Sequence, residues 1–375
     1  MNKERLVDEF IELVQTDSET GYEADIATLL KKKFNELGLE VTEDDAANQT
    51  DHAANNLVIN MPGSDQTVAP IFFTAHMDTV TPGRDIQPQQ NNGYITSDGS
   101  TILGADDKAG IAVIFEVIRT LKENNITHGD LQFVITVGEE SGLVGAKALD
   151  ADLLKAQYGY ALDSDGAIGS IVTTAPYQAK IKAKVTGKTA HAGVAPEKGA
   201  SAITIAAKSI AKMPNGRIDE ETTANIGYFQ GGKSTQTNVV VDQVSIVQEA
   251  RSIQKHKLEA VLEEIQTAYQ ETAEEFAGDA DVEVEWMYPG FRHEADAPVV
   301  QVAQQAAKKL GFPSELLKSG GGSDANIFNG HGVPTVNIAV GYENIHTTDE
   351  RIHTDHLENL TKYVLKIIEQ TCTTN

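Results

Sequence analysis

Five short stretches of the chain carry side chains that can hold a cation or move a proton. The first is Ala75-His76-Met77-Asp78, directly after the apolar run Ile71-Phe72-Phe73. In an extended segment, residues two apart point to the same side, so the Asp78 carboxylate can orient the His76 ring. The second is Gly104-Ala105-Asp106-Asp107-Lys108-Ala109-Gly110, with two aspartates between a glycine and a helix. Helix capping and a favourable dipole would explain both, but an aspartate at such a junction can also bridge two cations with its two oxygens. The third is Val137-Gly138-Glu139-Glu140-Ser141-Gly142, after the buried-looking run from Phe133 to Val137. The fourth is Asp163, after Gly159-Tyr160-Ala161-Leu162. The fifth is Asn344-Ile345-His346-Thr347-Thr348-Asp349-Glu350. Singly, each has an ordinary structural explanation. Together, four follow expected strands directly and the fifth lies a few residues beyond a strand ending at Val340, so they can converge. His76, His346, Asp106, Glu140 and Asp163 make a mixed nitrogen and oxygen donor set suited to zinc, cobalt or manganese. A bridging carboxylate with two ligands on each side gives a two-metal centre, and Glu139 is then left over as a base.

The elements that must position these residues follow from hydrophobic periodicity. Leu6, Phe10, Leu13 and Val14 recur at helical spacing, as do Ile26, Leu29, Leu30, Phe34 and Leu37, with Gly38 as a C-cap. The polar stretch 43–55 reads as a loop, and His52 as a solvated loop histidine. Strand-like runs at 57–61, 71–75, 131–137 and 158–162 then alternate with a helix at about 108–123, which predicts an α/β sheet with helices on both faces. Ligands bind at the carboxyl ends of such strands. Near Pro176 the pattern changes. Ala179, Ile181, Ala183 and Val185 alternate with Lys180, Lys182 and Lys184, the mark of an antiparallel strand with one wet face. Helices at about 200–213 and 253–276, with strands near 224–229, 238–248 and 282–286, complete a small α+β layout of ferredoxin-like order. After Pro289 the α/β pattern resumes with a helix at about 298–310, a strand at 335–340 and a final helix at about 357–369. The expected organisation is an α/β domain of 1–175 plus 289–375, interrupted by an inserted α+β domain of 176–288.

Composition narrows the function class. The 375 residues hold 30 Lys and Arg against 55 Asp and Glu, a formal charge of −25. Such a surface repels phosphate backbones, which excludes a nucleic-acid partner. No apolar run reaches the roughly 20 residues needed to cross a bilayer, so no membrane association is expected. The N-terminus is charged throughout and lacks a signal-peptide core, and the single cysteine, Cys372, permits no intramolecular disulfide. A cytoplasmic protein is expected.

These motifs resemble those of the M20 family of co-catalytic zinc metallopeptidases, and within it the peptidase T (tripeptide aminopeptidase) branch. The matching residues run from His76-Met77-Asp78 to His346. They include Ile95-Thr96-Ser97-Asp98-Gly99 leading into Leu103 to Ile111, the Glu139-Glu140 pair and the run Gly321-Gly322-Ser323-Asp324. The resemblance implies that Asp106 bridges two zinc ions, with cobalt or manganese as substitutes. His76 and Asp163 would complete one metal, and Glu140 and His346 the other. Asp78 would orient His76, and Glu139 would be the general base. His353 and His356 compete with His346 by proximity, but the family pattern of His followed four residues later by Glu selects His346 with Glu350; the other two read as surface histidines near a helix start.

The resemblance also implies substrate contacts. Thr189-Ala190-His191-Ala192-Gly193 matches a lid histidine that helps polarise the substrate carbonyl, often across a dimer interface, so a homodimer through the lid is compatible with it. Asn238, Arg251 and Arg292 match family residues that contact the substrate carboxylate. Two departures stand out: Gly320 occupies the place where tripeptidases carry an arginine, and the segment 79–90 is shorter than theirs. The expected activity is hydrolysis of amide bonds in short peptides, in the manner of a tripeptidase-like aminopeptidase. An N-acyl-amino-acid deacylase or carboxypeptidase is the alternative within the family. A non-catalytic peptide-binding protein would have no use for Glu139. A nucleotide site at Gly320-Gly321-Gly322 lacks the phosphate-loop lysine.

Overall fold

The strands Leu131–Thr136, Ile71–His76, Tyr158–Ser164 and Thr335–Ala339 lie side by side, all parallel, at the centre of a mixed sheet. Each is an almost unbroken apolar run because each is buried on both faces. Phe73 stands opposite Phe133 and Tyr160 in register, and its ring stacks on theirs at 6.3 and 5.5 Å between centroids. These rings share the main core with the buried face of the helix Ala105–Glu123. The neighbouring residue, Phe72, points the other way and meets Phe328 edge-on at 5.0 Å in a smaller cluster. Antiparallel strands flank the parallel centre: Leu57–Met61 beside Leu131–Thr136, and Ile171–Ala175 beside Thr335–Ala339. The result is the α/β sheet expected from the alternation of patterns, with the antiparallel flanks making it mixed.

The computed structural model describes residues 1–373. By internal contact the described residues divide into one unit of residues 1–174, 292–319 and 323–373, and a second of 175–291 and 320–322. Gly320–Gly322 join the second unit for a steric reason. A Cβ at Gly322 would lie 2.3 Å from Cζ of Tyr288, and the Gly320 carbonyl accepts a hydrogen bond from Arg251 Nη1 at 3.2 Å.

The second unit is an antiparallel sheet in the order Gly216–Arg217, Thr222–Gly231, Gln243–Ser252, Tyr177–Thr186, Asp279–Tyr288. Ala179, Ile181, Ala183 and Val185 pack in one core with the helices Ala202–Lys212 and Lys255–Glu275. Lys182 and Lys184 face out, opposite Glu283 and Asp281 of the edge strand. Apart from the two-residue strand Gly216–Arg217, this is the strand–helix–strand–strand–helix–strand layout.

Local readings differ from the structure in several places. The strand expected at 238–248 is displaced to Gln243–Ser252, and Asn238 to Val240 instead pair locally with the 190–192 segment. Their β-branched residues look like strand, but their partner is a short loop. The expected loop at 43–55 contains a short helix, Ala46–Gln49. His52 is not solvated: its side chain is 9% exposed and its Nδ1 lies 2.6 Å from the buried Glu23 carboxylate, a partner invisible to local polarity. The helix Ala105–Glu123 begins with non-helical dihedrals at Asp106 and Asp107, so regular helix starts at Lys108. Gly38 is left-handed, with φ of 69°, just past the end of Ala24–Glu36. Among the described residues no helix is long and apolar enough to cross a membrane.

Candidate active site

The parallel strands deliver their carboxyl ends to one place. His76 is the last residue of Ile71–His76, Asp163 lies near the end of Tyr158–Ser164, and Glu139 and Glu140 follow Leu131–Thr136. His346 sits on the loop after Thr335–Ala339, and Asp106 at the entrance to the long helix. His76 Nε2 lies 3.1 Å from Oδ1 of Asp106 and 3.7 Å from Oδ1 of Asp163. His346 Nε2 lies 3.2 Å from the other Asp106 oxygen, Oδ2, and 2.8 Å from Oε1 of Glu140. The two oxygens of Asp106 thus face two different imidazoles, each with one further carboxylate. His346 has φ of 62°, a left-handed backbone that histidine adopts sparingly and that surrounding structure must impose.

The supporting contacts are equally specific. His76 Nδ1 is nearest to the Asp78 carbonyl oxygen, at 2.9 Å, with the Asp78 carboxylate at 3.4 Å. That carboxylate also accepts the backbone N–H groups of Glu139 and Glu140 at 3.0 and 3.2 Å, so one buried aspartate ties two strand ends together. Glu350 accepts the N–H groups of Leu103, Gly104 and Asp106 and holds the loop that presents Asp106. His353 and His356 are occupied elsewhere: the first accepts the Asp355 N–H at the start of the last helix, and the second bonds the Gly341 carbonyl. Both are half-buried, not surface side chains.

Electrostatics mark the cluster as short of positive charge. Burial, reinforced by the charge of Asp106, pushes Asp163 up to about 7 against its hydrogen bond with His76. Burial and the nearby Asp163 likewise push Glu139 well above the ordinary carboxylate range. Burial acts in the same sense on Asp106, but hydrogen bonds with His346 and His76 outweigh it and hold that carboxyl low. The Asp106 and Glu140 carboxylates push His346 up to about 10. So many carboxylates cannot all ionise here without cations.

The donor set fits divalent metal. Glu140 Oε1 is buried and no hydrogen-bond donor is directed at it, although His346 Nε2 is close; a lone pair and an oxygen aimed at common space is what a shared cation requires. Ligand atoms of His76, Asp106 and Glu140 lie within 4.8 Å of one another, and so do those of His76, Asp107 and Asp163. The Glu139 carboxylate, by contrast, has no hydrogen-bond donor among the described residues.

Sequence reading passed over several residues at this site. Asp107 is fully buried and receives the N–H groups of His76 and Gly110; its adjacency to Asp106 was the available signal. Tyr342 donates its hydroxyl to Asp163 at 3.2 Å, and the Asn337 side chain bonds both the N–H and the carbonyl of Asp163. Neither carries a local signal. Lys108 is wholly buried, with Nζ donating to the Thr16 carbonyl.

In the second unit, His191 and Asn238 are brought together: Ala192 N–H donates to the Asn238 carbonyl at 3.0 Å, and His191 pairs with Val239. Arg251 is engaged by Glu249 through Nε and Nη2. In the first unit, Arg292 Nε donates to Glu294.

A mixed α/β sheet that collects two imidazoles around the two oxygens of one buried aspartate, with an adjacent pair of glutamates beside them, is the framework of a metal-dependent hydrolase. The chain belongs to the peptidase family M20/M25/M40, whose profile matches residues 72–370, and it is a peptide hydrolase of that family. It is similar to aminopeptidase PepT from Bacillus cereus, with 59% identity, a TM-score of 0.95 and 99% of each chain covered. It is also similar to a tripeptidase from Staphylococcus aureus, at 48% identity and a TM-score of 0.96 over 100% of both chains. Protein YqjE of Bacillus subtilis is 57% identical over 370 residues, 99% of either chain.

Proposed function

We propose that the protein is a two-metal aminopeptidase for short peptides, tripeptides among them, with zinc as its metal. The observation that carries this reading is the Asp106 carboxylate, whose oxygens face His76 with Asp163 on one side and His346 with Glu140 on the other. These five residues would hold the metals. Divalent ions there supply Lewis-acid polarisation of the scissile carbonyl and make a water molecule more acidic. Glu139, whose carboxylate receives no hydrogen bond among the described residues, takes the proton from the attacking water and delivers it to the leaving amine. Asp78 holds both the His76 ring and the Glu139-Glu140 backbone in place. His191, Asn238, Arg251 and Arg292 are the proposed substrate contacts, with His191 donating to the developing oxyanion, a role on the order of 3 kcal/mol where such donors have been removed. The similarity to an aminopeptidase and a tripeptidase supports the choice of substrate.

We also assign the second unit a homodimer contact. The strand Thr222–Gly231 is paired by Gly216–Arg217 only at Thr223 and Ala224, and beyond it Tyr228 and Phe229 are 45% and 42% exposed. Sedimentation of the wild type and of a Tyr228→Lys, Phe229→Lys variant tests it; a monomeric wild type rejects it.

The deciding experiment is turnover by the zinc-loaded protein on di-, tri- and tetrapeptides and on N-acetyl amino acids. Cleavage of free-amine tripeptides from the N-terminus is expected. Turnover confined to N-acetyl amino acids would replace the aminopeptidase reading with that of a deacylase.

A further inference from the structure

Next to the Glu139-Glu140 turn lies a second polar cluster that the mechanism does not use. Glu23 sits between the first two helices with its side chain fully buried, and its Oε1 accepts the Gly21 N–H at 2.9 Å. His52 Nδ1 lies 2.6 Å from the same oxygen. A carboxylate only accepts, so Nδ1 carries a proton and the ring orientation is set. The opposite ring nitrogen, Nε2, lies 3.1 Å from Oγ of Ser141, the residue that follows Glu140; the same hydroxyl lies 3.1 Å from the Gly138 carbonyl, and its single proton serves one of these two acceptors at a time. The ring rests on Gly138 itself, where an added Cβ would come within 2.5 Å of His52 Cε1. Gly138 has φ of 57°, so the chain leaves the strand through a left-handed residue with the imidazole against its open side.

The turn is therefore gripped from two directions. Asp78 takes the N–H groups of Glu139 and Glu140, while His52 contacts Ser141 Oγ and lies against Gly138. A turn of one glycine and three polar residues has little packing of its own to fix where two adjacent glutamates point. We infer that Glu23 and His52 form a positioning clamp that acts through Ser141 and Gly138 to aim Glu139 and Glu140. This rests on the reading of Glu139 as base and Glu140 as ligand. His52 and Glu23 touch neither substrate nor metal in this scheme; they are positioning residues.

The test uses the full chain with Ser141→Ala, His52→Leu and His52→Gln. Three quantities are read: kcat and KM separately on a short peptide, Tm, and the visible absorption spectrum of the cobalt(II)-loaded protein. The spectrum responds to ligand geometry whether or not the enzyme turns over. Loss of an outer-shell partner at a metal site costs about 10- to 100-fold, so His52→Leu is expected to lower kcat by that factor with KM little changed and the cobalt spectrum altered. Ser141→Ala, at an exposed residue, is expected to keep the wild-type Tm and show a smaller change in the same two readouts. His52→Gln, which retains a polar group toward Ser141, should recover part of the loss. If His52→Leu does not fold, Ser141→Ala and His52→Gln decide the matter. Wild-type spectra in folded variants overturn the clamp, whatever their activity. A wild type that binds cobalt but cleaves no peptide overturns the functional reading instead, and the spectra still judge the clamp.

Discussion

At the scale of single residues, two adjacent glutamates are asked to do different work. Glu140 points at His346, and the Glu139 carboxylate receives no hydrogen bond among the described residues. Glu139→Gln should leave two metals bound while lowering turnover roughly 10²–10⁴-fold, as expected for removal of a general acid-base group. Glu140→Ala should instead lower metal content, with part of the activity returning in excess zinc. Elemental analysis beside kcat separates the two, and loss of metal from Glu139→Gln with full metal in Glu140→Ala would reverse the roles. Asp324 allows a prediction about pH. Burial pushes its carboxyl up to about 6 against a hydrogen bond from Thr136, and its Oδ1 has no donor. An acid whose folded value lies above its unfolded value of roughly 3.9 holds more protons in the native state between the two. Stability then falls as pH rises through that window. Metal-free Asp324→Asn should lose this part of the pH dependence, so Tm against pH between 4 and about 6 should be flatter than wild type. Parallel curves would place the titration elsewhere.

At the scale of elements, the site depends on how closely the long helix approaches the sheet. Gly110 lies against Asp107 and Leu162; an added Cβ would fall 2.6 Å from Asp107 Oδ1 and 3.0 Å from Leu162 Cβ. Both neighbours are fully buried. Gly110→Ala should therefore push the helix start away from the Tyr158–Ser164 strand, at a cost of about 1–3 kcal/mol for overpacking. Because Asp106 enters through the same turn, metal affinity should fall together with stability. Denaturant unfolding and metal titration on one variant check both; an unchanged midpoint with unchanged affinity would show that the helix start is adaptable.

For the whole molecule, the metals should act as part of the fold. The donor set comes from five separate stretches of the first unit, and its carboxylates repel one another until cations neutralise them. Ligands that bind only the folded state stabilise it in proportion to their occupancy, by about 4 kcal/mol at a thousandfold excess over Kd. Calorimetry with zinc and then with a chelator should show a large fall in Tm and loss of peptide hydrolysis on chelation, both reversed by added zinc. A Tm indifferent to metal would mean that the cluster is held by protons alone.

Much of this was legible along the chain. Apolar runs ending in Ala75, Val137 and Leu162 identified buried strands, because strands covered on both faces dispense with polar alternation. Ala179 to Val185 identified a strand with one wet face for the opposite reason. The types of the donor residues, and their position after strands, were enough to expect a metal centre with a spare glutamate. The tertiary structure decided the rest. His76 and Asp106 are 30 residues apart and His346 and Asp106 are 240 apart, so which oxygen meets which imidazole depends on sheet register and loop closure that no local pattern contains. Asp78 illustrates the limit: spacing suggested a carboxylate beside the His76 ring, whereas the ring's nearest Asp78 atom is the backbone carbonyl oxygen, and the two carboxylate contacts with the Glu139-Glu140 backbone exist only because Ile71–His76 and Leu131–Thr136 are neighbours. His52 is the plainest case. Its surroundings in sequence are polar, and its burial follows from a glutamate and a serine 29 and 89 residues away. Local composition reports what a residue can do; the partners that determine what it does are supplied by the packing of distant segments.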